Sequence, residues 1–206
     1  MSVAPLPVHE AHRLQTLEEL GVLDTPPDPV LDGLVRSAAL LANCPISLIS
    51  LIDEKRQWFK ARHGMEATET PREVAFCAHA ILEDGLFEVP DASIDPRFSD
   101  NPFVTGEASV MFYAGIPLVV DGDRMGTLCV IDHHARSLSQ AQRDILRDLA
   151  HAAEHWLQSQ RVHRELRQAH AEHRKLLDNM GDGVLALDAD RRILDANPAA
   201  LRMLGY

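Results

Sequence analysis

The sequence predicts an α+β fold with a long C-terminal helix, and three observations predict it. Apolar, β-branched runs stand in pairs joined by polar turns, at 46–62 and 112–132, and each pair reads as an antiparallel hairpin. Two amphipathic helical segments precede the first pair. From Ser139 to about Met180 the chain contains neither Gly nor Pro and reads as one helix of roughly forty residues.

Residues 8–20 place Leu14, Leu17 and Leu20 on one side of a helix that Gly21 stops. Thr25-Pro26-Pro27-Asp28 breaks the chain and caps a second helix, whose apolar face is Val30, Leu31, Leu34, Val35, Ala38, Leu41 and Ala42. Pro45 closes it. Ile46–Ile52 reads as a buried strand with serines at every third position, and Gln57–Arg62 as the strand returning from Asp53-Glu54-Lys55-Arg56. The pattern weakens between 64 and 109, where a short helix is expected at 75–82 and a short strand at 87–89. Asp95–Pro102 is dense in turn formers and reads as loop. Strands at 112–120 and 125–132 are joined through Asp121-Gly122, a strong hairpin signal.

In the long helix, Ile145, Leu149, Ala152, Trp156 and Ser159 follow heptad spacing. Val162, Leu166, Ala169, His173, Leu176 and Met180 follow it again after a short step between Ser159 and Val162. Such a seam requires a partner helix, and a homodimer is expected. Beyond Met180 the period changes to two: residues 183–188 and 192–195 form a hairpin, and Asn197 caps a short helix. Two strands and a helical turn cannot bury a core of their own.

The composition excludes several classes. With 46% hydrophobic and 25% charged residues, the 206-residue chain is neither collagen-like, disordered nor disulfide-stapled. Cys44, Cys77 and Cys129 form no CxxC pair, which fits a reducing cytoplasm. No apolar run approaches the ~18–20 residues of a membrane span, and the start lacks a secretory pattern. The net charge of -11 lies wholly within residues 1–138, which hold 21 Asp and Glu against 10 Lys and Arg. Nucleic acid and anionic membranes are therefore not expected partners.

Several ordered motifs carry a resemblance. Leu23-Asp24-Thr25-Pro26-Pro27, Arg56-Gln57-Trp58-Phe59-Lys60, Thr70-Pro71-Arg72 and Phe76-Cys77-Ala78-His79-Ala80-Ile81 come first. Asp95-Pro96-Arg97-Phe98, Asn101-Pro102, residues 112–118 and residues 126–132 follow. Together they resemble a bacterial subgroup of GAF domains over about residues 10–155. Gly183-Val184, Asp188, Ile193, Ala196-Asn197-Pro198-Ala199 and Leu204-Gly205-Tyr206 resemble the first third of a PAS domain. The resemblance implies a central antiparallel sheet with helices on both faces, a ligand side, and first and last helices that pack together and pair in a dimer. Domains are expected at 1–155 (GAF-like), 156–178 (signalling helix) and 179–206 (incomplete PAS start). Two departures from the subgroup stand out: Met111 where an arginine is usual, and His133-His134-Ala135 in place of a proline-containing stretch.

No P-loop, HExxH or ordered Ser, His and Asp set is present, so no catalytic or metal-binding residues are assigned. The pocket candidates are Phe76, Cys77, His79, Asp91, Arg97, Phe98, Asn101, Phe112 and Tyr113, which mix aromatic walls with directional polar groups. Asp95-Pro96-Arg97 reads instead as a self-contained turn, with aspartate bonding the backbone and arginine bridging to a carboxylate. Cys77 and His79 could serve as metal ligands or as a nucleophile–base pair, but two residues apart on a helix they point about 200° away from each other. Neither a covalent chromophore nor a metal is expected, and the ligand's identity is open.

The reading is a cytoplasmic sensory input module of a bacterial signal-transduction protein. It binds a small molecule and relays occupancy through a dimeric helix to an output domain of the same polypeptide, by resemblance a diguanylate cyclase or histidine kinase. The dimer and signalling positions are Ile145, Leu149, Ala152, Trp156, Val162, Leu166 and Leu176. Two alternatives stand beside it: a ligand-free dimerisation domain, and a redox or metal sensor acting through Cys77 and His79.

Overall fold

The computed structural model describes residues 2–205, so Tyr206 lies outside the described residues. Two compact units divide between Arg161 and Val162. In the first, α1 (Glu10–Leu20) ends on Gly21, which takes the left-handed conformation and returns its N–H to the Glu18 carbonyl. α2 (Pro29–Ala42) starts where the Asp28 carboxylate accepts the N–H groups of Val30 and Leu31, with Pro29 supplying a fixed φ at the first helical position. It ends on Asn43, also left-handed, two residues before the expected Pro45.

The strands β1 (Ile46–Ile52), β2 (Arg56–His63), β3 (Glu69–Pro71), β4 (Phe87–Val89), β5 (Phe112–Val120) and β6 (Asp123–Asp132) form one sheet. Its order is β3-β2-β1-β6-β5-β4, with every neighbouring pair antiparallel. Between β3 and β4 lie a 3-10 turn, Arg72–Val74, and the short helix α3 (Phe76–Ala80); α4 (Pro102–Thr105) precedes β5. The helix α5 (Gln140–Asn179) follows β6. β3 carries no local sequence signal, while α4 starts on the Asn101-Pro102 cap pair at the end of the segment read as loop. Within α2, Val30 and Leu41 are exposed, although the apolar face was expected to include them, and Ala39 is buried instead.

The pleat sorts side chains to two cores. Leu17 and Leu20 of α1, Leu31 and Val35 of α2, and Leu146 and Leu157 of α5 pack over Ile49, Leu51, Leu118 and Leu128 on one face. On the other face Leu48, Phe59, Tyr113 and Cys129 meet Phe76 and Cys77 of α3 and Phe98 of the following loop. The sheet thus has helices on both faces. Lys60 marks a bulge in β2, since Ile49 pairs with Ala61 while Ser50 pairs with Phe59.

The start of α5 is a capping box: Ser139 Oγ accepts the Gln142 N–H, and Gln142 Oε1 accepts the Ser139 N–H. Arg136 and Gln142 also donate to the last carbonyls of α2, at Ala42, Asn43 and Leu41. The helix buries Leu146, Ala150, Ala153 and Leu157 against the sheet. Each of the two leucines contributes about 1.5–3 kcal/mol of burial. Ile145, Leu149 and Trp156 stand one residue earlier, about 100° round the helix, and are half-buried; Ala152 is exposed. Glu154 Oε1 accepts the Val119 N–H at 2.7 Å, beside the register shift between Leu118 and Val119.

The second unit holds the C-terminal part of α5, then β7 (Leu185–Leu187), β8 (Ile193–Ala196) and α6 (Pro198–Leu204). Val162, Leu166 and Leu176 are exposed on the helix. Asn197 organises this unit. Its amide donates to the Leu177 and Asp182 carbonyls, and its Oδ1 accepts the Val184 and Ala200 N–H groups, capping α6. No helix among the described residues is long and apolar enough to cross a membrane.

Candidate functional site

The face of the sheet opposite α1, α2 and α5 carries a cavity of about 170 Å³. β1 supplies Ile46 and Leu48, β2 Phe59, and β6 Ile131, while Phe76 and Val110 close it from above. Met65, Ala67, Phe103, Ala108 and His133 form its remaining rim, where Ala67, Ala108 and His133 are exposed and bring it to the surface. Its polar groups are Gln57, Thr70, Cys77 and Tyr113 within and His133 at the rim, and no Asp, Glu, Lys or Arg lines it. Thr70 Oγ1 is buried and has no hydrogen-bond partner among the described residues. A hydroxyl left so carries a desolvation penalty that an occupant's polar atom would relieve.

The cavity floor is a connected polar network. Gln57 Nε2 and Tyr113 Oη each donate to Cys77 Sγ at 3.2 Å, and Cys77 Sγ lies 3.9 Å from Cys129 Sγ. Tyr113 Oη is 3.4 Å from Thr127 Oγ1, which meets Ser50 Oγ at 3.2 Å. The spaced serines of β1 are thereby explained, because Ser47 Oγ donates to the Cys129 carbonyl on the same neighbouring strand. Gly115 makes the network possible. A Cβ there would stand 2.2 Å from the Tyr113 hydroxyl, so only glycine lets the ring fold along β5 to reach the sulfur. Burial opposes ionisation of Cys77, but the hydrogen bonds from Cys129, Ser50, Thr127 and Tyr113 outweigh it and draw the thiol down to about 6. Its partner Cys129 is pushed well up by donating to Cys77 and by burial.

Of the nine residues singled out from sequence, Phe76, Cys77 and Tyr113 line the cavity. Phe98 does not; it stacks behind Phe76 with ring centroids 4.1 Å apart. His79 turns the other way round α3, with Nε2 at the Ser2 carbonyl and its ring edge-on to Phe98, so it forms no pair with Cys77. Asp91 caps a turn through Ser93, and Arg97 closes on Asp95 while its guanidinium covers Phe87 and Phe98. Asn101 caps α4 and ties it to the Val74 carbonyl. Phe112 belongs to the opposite core, because it alternates with Tyr113 along β5. Sequence reasoning passed over Gln57, Phe59, Thr70 and the small rim residues as pocket candidates. His133, one of the departures from the subgroup pattern, follows the end of β6 and stands at the rim, with Nδ1 at the Ala108 carbonyl.

A larger hollow at the β2–β3 edge is charged and open. It is occupied by Arg56, which pairs with Asp24, Asp53 and Glu69. Among the described residues, no three His, Cys, Asp or Glu side chains converge as a metal site.

A six-stranded antiparallel sheet with a helical layer on one face and a small cavity open at its rim on the other defines a sheet-based pocket domain. The family model for the GAF domain matches residues 26–155, more than half of the chain, and the chain belongs to that family. The PAS domain model matches residues 171–206. Over 146 residues the chain is 44% identical to a cyclic di-GMP phosphodiesterase of Pseudomonas aeruginosa, a match covering 70% of this chain. The chain spans 25% of the length of that relative. Among solved structures, the GAF domain of an Acinetobacter phosphoenolpyruvate-protein phosphotransferase superposes with a TM-score of 0.53 at 18% identity, covering 78% of this chain and 97% of that one. The Thermosynechococcus elongatus PixJ GAF domain in its blue-light absorbing form gives 0.54 at 15%, covering 81% and 98%. The type II free methionine-R-sulfoxide reductase of Thermoplasma acidophilum gives 0.51 at 12%, covering 63% and 93%. At such identities the shared property is the fold. The module is thus a GAF domain of the kind carried by signalling proteins.

Proposed function

We propose that this chain is an input module whose cavity holds a small uncharged molecule and whose α5 conveys occupancy to domains joined to it. The observation that carries the reading is the cavity itself: about 170 Å³, walled by apolar side chains, without a charged lining residue, and holding one unpaired hydroxyl on Thr70. An apolar protein cavity of about 150 Å³ accommodates benzene. The occupant is accordingly of single-ring to indole size, neutral, with at most one or two polar atoms to meet Thr70 and Gln57.

The route to α5 is short. Phe59 faces the cavity, and its bulged neighbour Lys60 reaches the opposite side, where Nζ lies 5.3 Å from the Trp156 ring centroid and donates to Thr25 and the Pro26 carbonyl. A ligand that prefers one setting of β2 would bias the packing of Trp156. The 44% identity to a cyclic di-GMP phosphodiesterase favours an output that turns over cyclic di-GMP above a histidine kinase. The exposed Val162, Leu166 and Leu176 favour pairing of α5 with a second copy, with residues 156–178 acting as the relay between residues 1–155 and the PAS segment.

The test is thermal denaturation of the reduced protein with benzene, indole and phenol. A ligand present at a hundred times its Kd stabilises by about 2.7 kcal/mol, a rise of several degrees. Met65→Trp, which fills the rim, should abolish the rise. Absence of any rise, or an equal rise in Met65→Trp, would remove the ligand reading and leave a packing domain. Light scattering that shows only monomer at tens of micromolar would remove the dimer.

A further inference from the structure

The cavity floor contains a second chemistry that ligand binding does not use. Cys77 and Cys129 are both fully buried, lie on different elements, and their sulfurs stand 3.9 Å apart. A disulfide needs about 2.05 Å, so the two sulfurs must approach by about 2 Å to bond. Cys77 is also the sulfur that lines the cavity, which reaches the surface at Ala67, Ala108 and His133. Two donors, Gln57 Nε2 and Tyr113 Oη, are aimed at it. Hydrogen bonds to a thiolate favour the form that acts as nucleophile.

We propose that Cys77 and Cys129 form a peroxide-reactive dithiol, in which Cys77 is the attacking sulfur and Cys129 the resolving one. A hydroperoxide entering the cavity meets the Cys77 thiolate. The sulfur–oxygen bond forms as the oxygen–oxygen bond breaks, and the departing oxygen takes a proton from the Cys129 thiol to leave as water or an alcohol. The Cys129 thiolate then attacks the sulfenic sulfur of Cys77. The sulfur–sulfur bond forms, the sulfur–oxygen bond breaks, and the hydroxide released takes up the proton that Cys77 had lost. Two thiols and one hydroperoxide yield one disulfide, one water and one water or alcohol; the thiols lose two electrons and the peroxide gains them.

The third cysteine is a built-in control. Cys44 lies among the residues of the other core, its thiol makes a weak contact to the Ala42 carbonyl at 3.7 Å, and burial pushes that thiol up to about 11. It should stay reduced where Cys77 reacts. The disulfide would tie α3 to β6 beneath the cavity, so oxidation and ligand occupancy would act on the same elements.

The test treats the intact, reduced protein with hydrogen peroxide, quenches and alkylates under denaturing conditions, and maps the peptides by mass spectrometry. The expected result is one disulfide joining the Cys77 and Cys129 peptides, a loss of two hydrogens in intact mass, and full alkylation of Cys44. In Cys129→Ala the expected product is a dimedone adduct on Cys77 alone. The proposal is overturned if all three thiols still alkylate once surface methionines are oxidised, or if Cys44 reacts first. The wild-type map decides the matter even should the variant not fold. It is also independent of the ligand reading, which is tested on reduced protein with benzene and indole.

Discussion

Replacing Phe98 separates a ligand contact from a supporting side chain. The ring is 1% exposed, lies 4.1 Å from Phe76 at an interplanar angle of 11°, and meets Phe87 at 6.2 Å and 69°. His79 adds an edge contact at 4.8 Å. Truncating a buried Phe to Ala costs about 3–5 kcal/mol, and aromatic pairs add about 0.5–1.5 kcal/mol beyond the area lost. With three rings against it, Phe98→Ala should fall near the middle of the first range, at about 4 kcal/mol. In a unit of this size each kcal/mol shifts Tm by roughly 2–4 °C, so a drop of about 10 °C is expected. Phe98→Leu keeps most of the apolar volume and loses mainly the stacking, at about 1–2 kcal/mol. The assay is thermal denaturation, followed by indole titration below the lowered Tm. Phe98→Leu should bind indole within a few-fold of wild type, because the shorter apolar side chain would still back Phe76. A Tm change under about 1 °C on truncation to Ala, or lost indole binding in Phe98→Leu at unchanged Tm, would refute the placement of Phe98 behind the cavity wall.

Three further outcomes follow from other contacts. Glu154→Ala removes the acceptor of the Val119 N–H, which should cost about 1 kcal/mol in chemical denaturation, whereas Glu154→Gln keeps an acceptor oxygen and should cost less. Glu10 accepts from Arg13 and Arg72; burial opposes its ionisation, but those ion pairs prevail and hold its carboxyl below the ordinary 4.5. Its contribution is therefore complete above that pH and lost as pH falls through the lowered value, so urea melts should show an acid limb that Glu10→Gln flattens. Gly115→Ala should push the Tyr113 hydroxyl off Cys77 at a cost of about 1–3 kcal/mol, and alkylation of Cys77 in the native protein should slow, because one of the donors that favour its thiolate is lost.

The strong local periods carried most of the scaffold. α1, α2, α5 and both long hairpins stand within a few residues of where spacing, caps and the Asp121-Gly122 turn place them. β3 escaped notice because three residues ending in Pro71 have no period; pairing with β2 holds them, through Gln57 opposite Thr70. That pairing also delivers the one unpaired hydroxyl of the cavity, so the missed strand and the missed polar group are one omission. The long helix offered two interleaved heptad-like rows one residue apart. Spacing alone could not tell that Leu146, Ala150, Ala153 and Leu157 face the sheet while Ile145, Leu149 and Trp156 stand beside them. In the candidate site, aromatic and charged residues drew attention, yet Asp91 and Arg97 spend their polar atoms inside their own turns, and Asn101 spends its own on capping α4 and on the Val74 carbonyl. Strand alternation should have separated Phe112 from Tyr113, since neighbours on a strand face opposite sides. The Ala67 and Ala108 rim left no trace in sequence, because small exposed residues become a cavity mouth only through chain segments distant in sequence.

The central claim is that the cavity opposite α5 holds a small neutral molecule, and calorimetric titration of indole into the reduced protein tests it most directly. The account predicts one saturable site per chain with a negative heat-capacity change from apolar burial, weakened in Thr70→Val and lost in Met65→Trp. No saturable heat, or binding that Met65→Trp leaves intact, would contradict it.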